Sequence, residues 1–75
     1  MNPSTKIRFS IPEFSKAAVI IYDITGRMVY TIADKEFNPG IYEADFHSKD
    51  LSSGIYFCRL ITNSGSLTRK IVLLK

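Results

Sequence analysis

His47 is the single histidine of the chain, and Asp45 and Asp50 stand close to it in sequence. An imidazole and two carboxylates can ligate a metal. One His with two Asp at a strand end is a thin donor set for that purpose, and a solvated loop histidine accounts for it. Ser52 and Ser53 lack a His placed to activate them, and no Gly-x-Ser-x-Gly elbow is present. Asp34 and Glu36 form the nearest carboxylate pair, in a polar stretch where solvation explains them. Asp23-Ile24-Thr25-Gly26-Arg27 contains a turn glycine, but no Lys-Ser or Lys-Thr follows a glycine run, so it is no phosphate loop. Cys58 is the single cysteine, which rules out an internal disulfide, and it reads as a small apolar filler rather than a reactive thiol. The expectation is a chain with no catalytic residues, no cofactor and no metal site: not an enzyme.

Composition agrees. Seventy-five residues make one domain, spanning 1–75 with an ordered core expected over about 5–75. A chain of this size buries only about 60% of its unfolded surface, so its stability is modest. Apolar residues at 45% suffice for one core but not for a deep cleft as well. The net charge of +3 is spread over scattered Lys and Arg, far from a nucleic-acid footprint. Lys6, Arg8, Lys16, Arg27, Arg69, Lys70 and Lys75 read as solubility and edge-strand protection, with attraction to an anionic partner as the functional alternative. No run approaches the ~18 apolar residues of a membrane span. Residues 1–5 do not form the basic and apolar regions of a signal peptide.

The elements that would position these groups are strands. In the 51–60 stretch, Tyr56, Cys58 and Leu60 share one face and Ile55, Phe57 and Ile61 the other, interrupted by Arg59. A strand apolar on both sides belongs in the interior of a sheet. Ile7, Phe9 and Ile11 alternate with polar residues until Pro12 stops the strand. Residues 17–22 are apolar on both faces and end at a turn with Gly26 placed for positive φ. Residues 28–33 form the next strand, with Met28, Tyr30 and Ile32 on one side. Residues 34–40 read as a polar loop ending in a Pro-Gly turn. Residues 41–46 follow, with Tyr42, Ala44 and Phe46 inward. Asn63-Ser64-Gly65 makes a hairpin turn before a last strand over 67–74. Tyr42, Phe46 and Tyr56 are expected in the core, leaving Tyr22, Tyr30, Phe37 and Phe57 to find cover elsewhere, under loops or against a partner protein. No segment carries an uninterrupted helical period. The fold class is all-β: a small immunoglobulin-like antiparallel β-sandwich of about seven strands.

The Gly-x-Tyr-x-Cys order at Gly54, Tyr56 and Cys58 resembles strand F of an immunoglobulin-type sandwich, where such a Tyr anchors a corner through its hydroxyl. On that likeness, Val19 or Ile21 fills the strand B position of the partner cysteine. Gly40-Ile41-Tyr42 and Gly54-Ile55-Tyr56 echo one another, each marking a turn that hands over to a strand with an inward Tyr.

The ordered set Ile21-Tyr22-Asp23-Ile24-Thr25-Gly26-Arg27, Gly40-Ile41-Tyr42, Asp50-Leu51-Ser52-Ser53-Gly54-Ile55-Tyr56-Phe57-Cys58-Arg59-Leu60 and Lys70-Ile71-Val72-Leu73-Leu74-Lys75 resembles the type A C-terminal sorting domain of the type IX secretion system of Bacteroidetes. The resemblance covers nearly the whole chain. It implies a seven-strand immunoglobulin-like sandwich at the C-terminus of a larger cargo protein in the same parent chain. It also implies recognition by type IX secretion machinery proteins of the outer membrane, passage through the periplasm, and secretion or cell-surface attachment. The family's Pro-Gly-x-Tyr motif falls on Pro39, Gly40 and Tyr42, its Gly-x-Tyr motif on Gly54 and Tyr56, and its terminal Lys-x-Val pattern on Lys70 and Val72, with Lys75 closing the chain. Cys58 departs from the pattern, where an aromatic is common. Recognition is expected at Lys70, Val72, Leu74 and Lys75, with no nucleic acid and no membrane insertion. A related likeness, to the immunoglobulin-like domain of the flagellar hook-capping protein, supports the competing reading of a structural or adhesive module. The full open reading frame separates the two. An export signal is expected to be the final segment of its gene product, whereas an assembly module is expected to have neighbours on both sides.

Overall fold

A computed structural model describes residues 4–47 and 51–74. They form six strands: β1 (Ser4–Ile11), β2 (Ser15–Asp23), β3 (Met28–Phe37), β4 (Gly40–His47), β5 (Gly54–Thr62) and β6 (Gly65–Leu73). β1 and β4 make a two-stranded sheet, and the other four make a sheet of order β3-β2-β5-β6. Every pairing is antiparallel. The two sheets face each other as a sandwich of six strands among the described residues, against about seven expected.

Strand alternation builds the interface between the layers. β1 contributes Ile7, Phe9 and Ile11, and β4 contributes Tyr42, Ala44 and Phe46. Beneath them lie Ala17, Val19 and Ile21 of β2 and Tyr56, Cys58 and Leu60 of β5. Two clusters share this layer. One gathers Phe9, Ile11, Ala17, Val19 and Phe37, and the other Ile21, Phe46, Tyr56 and Leu73. Ile7, Ile32 and Cys58 pack against both. Phe9, Phe37 and Tyr42 form a ring triad with centroids 4.8–5.6 Å apart, edge-on or stacked.

β5 lies inside its sheet, between β2 and β6, as its two apolar faces require. Tyr56 is buried and its hydroxyl donates to the carbonyl of Ser52 at 2.8 Å. The hydroxyl of Tyr42 donates in the same way, four residues back, to the carbonyl of Asn38. The echo between the two Gly-x-Tyr segments is therefore one device used twice. Each ring folds back over its own turn and ties the corner to the strand it opens. Gly54 enters its strand at φ +152° and Gly40 at +156°, a region open to glycine and strained for a side chain. At the other end, Asn63 N–H donates to the buried Ser15 hydroxyl at 3.0 Å, which fastens the β5–β6 hairpin to the start of β2.

Four expectations change. Residues 34–36 are not a loop: β3 continues through them, pairing with Ala18, Ala17 and Lys16, and the connection to β4 shrinks to Asn38-Pro39. β3 is an edge strand, so three exposed charges cost it little, and they guard the edge. Phe37, at the end of that run, is buried in the core rather than left to an outer face. The faces of 28–33 do not alternate simply, because register shifts at Val19/Ile20 and Ile21/Tyr22 break the period. Tyr30 consequently pairs with Ile21 and sets its ring 5.3 Å from that of Phe46. Finally, Ile21 is the cross-strand neighbour of Cys58 within one sheet. The immunoglobulin likeness therefore fails at this point, because β2 lies beside Cys58 and not across the sandwich from it.

Tyr56→Phe removes the hydroxyl from its carbonyl partner and leaves the ring in place. The expected loss is about 1 kcal/mol, or roughly 4–8 °C in Tm for a domain of this size. Tyr42→Phe is expected to cost less, since its hydrogen bond is exposed to solvent. Thermal unfolding followed by circular dichroism checks both. An unchanged Tm in Tyr56→Phe would remove the corner from the account.

Candidate functional site

The groups capable of chemistry do not converge. His47 ends β4 and is exposed, as is Asp45, while Asp50 lies outside the described residues. Among the described residues no three His, Cys, Asp or Glu side chains are grouped to hold a metal ion. Asp34 and Glu36 are exposed on β3. Ser52 and Ser53 line a shallow hollow of about 340 Å³ together with Asp23, Thr25 and Arg27, and no histidine lines it.

Asp23 organises the turn between β2 and β3. One carboxylate oxygen accepts from Thr25 N–H at 2.9 Å, from Arg27 N–H at 3.1 Å and from the Thr25 hydroxyl. Gly26, at φ +86°, closes the turn by donating its N–H to the Asp23 carbonyl. Arg27 Nε stands 3.7 Å from the other carboxylate oxygen. The Thr25 hydroxyl, the two backbone N–H donors and the Arg27 charge together hold the Asp23 carboxyl below its ordinary 3.8, against a smaller opposing effect of desolvation. The turn that resembled a family motif is thus a structural clasp, with one carboxylate oxygen of Asp23 taken up by three hydrogen bonds.

Cys58 is half-buried and free, and burial pushes its thiol above the ordinary 9.0, against a smaller opposing pull from the Arg69 charge. That disfavours the thiolate and any nucleophilic role.

The outer face of the four-stranded sheet carries a contiguous group of exposed apolar side chains. Cross-strand partners share a face. Lys70 of β6 lies beside Phe57 of β5, Phe57 beside Tyr22 of β2, and Tyr22 beside Met28 of β3. This row crosses the whole sheet. Next to it Val72 pairs with Ile55. Val72, Ile55 and Met28 are 45%, 43% and 56% exposed, and Leu74, just past β6, is 65% exposed. Between them Ile71 and Leu73 point the other way, and Leu73 is completely buried. Lys70, Val72 and Leu74 therefore form an outward stripe on the last strand, continuous with Ile55 and Phe57. Lys75 lies outside the described residues. The period of the terminal run signals the stripe in sequence. Its extension to Tyr22 and Met28 needs the strand order, which no local pattern carries.

The basic side chains separate into groups. Lys6 and Arg8 of β1 and Arg69 and Lys70 of β6 line one groove, whereas Arg27 is engaged at the Asp23 turn.

A family model described as the secretion system C-terminal sorting domain matches residues 2–74. No curated protein and no solved structure matches the chain.

Because the native Asp23 carboxyl titrates below its ordinary value, it stabilises the fold at pH above 3.8, and that contribution disappears as pH falls through the lowered native value. Asp23→Asn is expected to destabilise the protein at neutral pH and to flatten the acid limb of its stability profile. Carboxyl titration by NMR checks the premise: a midpoint for Asp23 at or above 3.8 would contradict it.

Proposed function

Because the chain belongs to the secretion system C-terminal sorting domain family, we propose that it acts as a folded export label of the type IX system. A larger cargo in the same parent chain carries it, and outer-membrane components of the machinery read it. The label is a surface, not a reaction centre. One observation carries this reading: the exposed stripe of Lys70, Val72 and Leu74 on an edge strand, backed by buried Leu73. An edge strand offers both side chains and an unpaired row of backbone groups to a partner strand. A rigid sandwich presents such a handle at low ordering cost, which suits machinery that must accept unrelated cargoes. Passage through the periplasm and a secreted or cell-surface destination follow from the same reading.

Truncation is a poor test. Removing the last five residues also removes Ile71 and Leu73, whose burial closes the core, so loss of export would report unfolding as readily as lost recognition. Outward substitutions separate the two. Val72→Asp with Leu74→Asp, in a cargo fusion, is expected to keep the thermal transition within a few degrees of the parent. The fusion itself is expected to be held in the periplasm. Fractionation of reporter activity between periplasm and cell surface checks it. Undiminished surface display from a folded double variant would refute recognition at this stripe.

A further inference from the structure

The two layers of the sandwich are unequal, and the mismatch leaves a groove. β4 stands over β3, where Phe46 meets Tyr30, and β1 stands over β2 and β5, where Ile7 and Phe9 pack. No described strand follows β1 in the smaller sheet, so the inner face of β6 and part of that of β5 lack a covering layer. The opening has a volume of about 630 Å³, and its floor includes Cys58, Leu60, Leu67 and Ile71. Leu67, on the inward side of β6, is 72% exposed. The free edge of β1 forms one wall. Lys6 and Arg8 line that side of the opening and Arg69 and Lys70 the facing side, Arg69 from the inward face of β6 and Lys70 from its outward one, and no acidic residue lines the groove among the described residues. Lys6 and Arg8 stand opposite Asp45 and Glu43 of β4 across the strand pair, and no ion pair joins them among the described residues.

We propose that this groove is a second docking site, which takes an extended acidic strand of another protein as a third strand beside β1. Three features select that occupant. The unpaired N–H and C=O groups of β1 run along the opening and are satisfied by a strand laid against them. The apolar floor takes alternate side chains of such a strand, because its period is two. The four cations favour carboxylates on the side chains that remain at the rim, and they oppose a second copy of this chain, which would bring its own Lys6 and Arg8 to the contact. The groove opens on the inward side of β6, at Leu67, Arg69 and Ile71, and shares only Lys70 with the outward stripe, so its test leaves Val72 and Leu74 untouched.

The test uses the 75-residue chain and an eight-residue capped peptide of alternating valine and glutamate, matching the eight residues of β1. Cys58 is the reporter, since it is the single thiol and lies in the floor. The peptide is expected to slow alkylation of Cys58 saturably, at a pH near the ordinary thiol value of 9.0 so that enough thiolate is present. Arg8→Glu and Arg69→Glu, both at exposed positions, are each expected to weaken binding by about three- to fivefold. The double variant is expected to prefer a valine–lysine peptide instead. The proposal fails if the peptide gives no protection. It fails equally if a peptide N-methylated along one edge protects as well as the parent, because backbone pairing is then not used. Equal protection by dextran sulfate would show a general polyanion surface. Protection that rises with protein concentration alone would show that a second copy fills the groove.

Discussion

The structure depends on one contact: the inward side chains of a two-stranded sheet pressed onto the middle of a four-stranded one. A two-stranded ribbon cannot hold itself in water. β1 and β4 persist because Ile11 and Phe46 are almost completely buried and Phe9 is nearly so. The larger sheet needs the same contact, since without it Val19 and Ile21 would face solvent. Neither layer can be separated from the other, which is why so short a chain has one core rather than two parts.

That dependence places demands on the corners. Each time the chain passes from a turn into β4 or β5, a glycine allows the sharp entry and a tyrosine two residues on fastens it. The rings of these tyrosines serve the core while their hydroxyls serve the turns. A small domain gains from such double use because it has few side chains to give to either task. Asp23 solves the same problem at the β2–β3 turn with a carboxylate in place of a ring. The Asp-Ile-Thr-Gly-Arg turn is thereby engaged in architecture.

What remains outward on the four-stranded sheet is apolar to a degree a solitary domain does not need. Ile55, Phe57, Tyr22 and Val72 could have been polar without loss to the core, since their side chains point away from it. The charged edge at Asp34, Lys35 and Glu36 is the opposite case, a strand dressed to remain unpaired.

Much of this is local in origin and so was legible in the chain. Period-two alternation marked the inward residues of β1 and β4, and the two apolar faces of β2 and β5 marked them as interior strands. The Gly-x-Tyr echo marked both corners. Other features depended on partners far along the chain. Whether 34–36 bends or continues was decided by Phe37, which reaches a pocket made by Phe9 and Tyr42. The mixed facing of β3 came from bulges against β2. Whether β2 lies beside Cys58 or across from it is a matter of strand order, and hydrogen bonding between distant segments sets that order. The same order aligned the row from Lys70 to Met28 and left two strands to cover four. Side-chain period is a property of neighbours in sequence and survives without a fold. Sheet membership is a property of neighbours in space, and only the closed sandwich decides it.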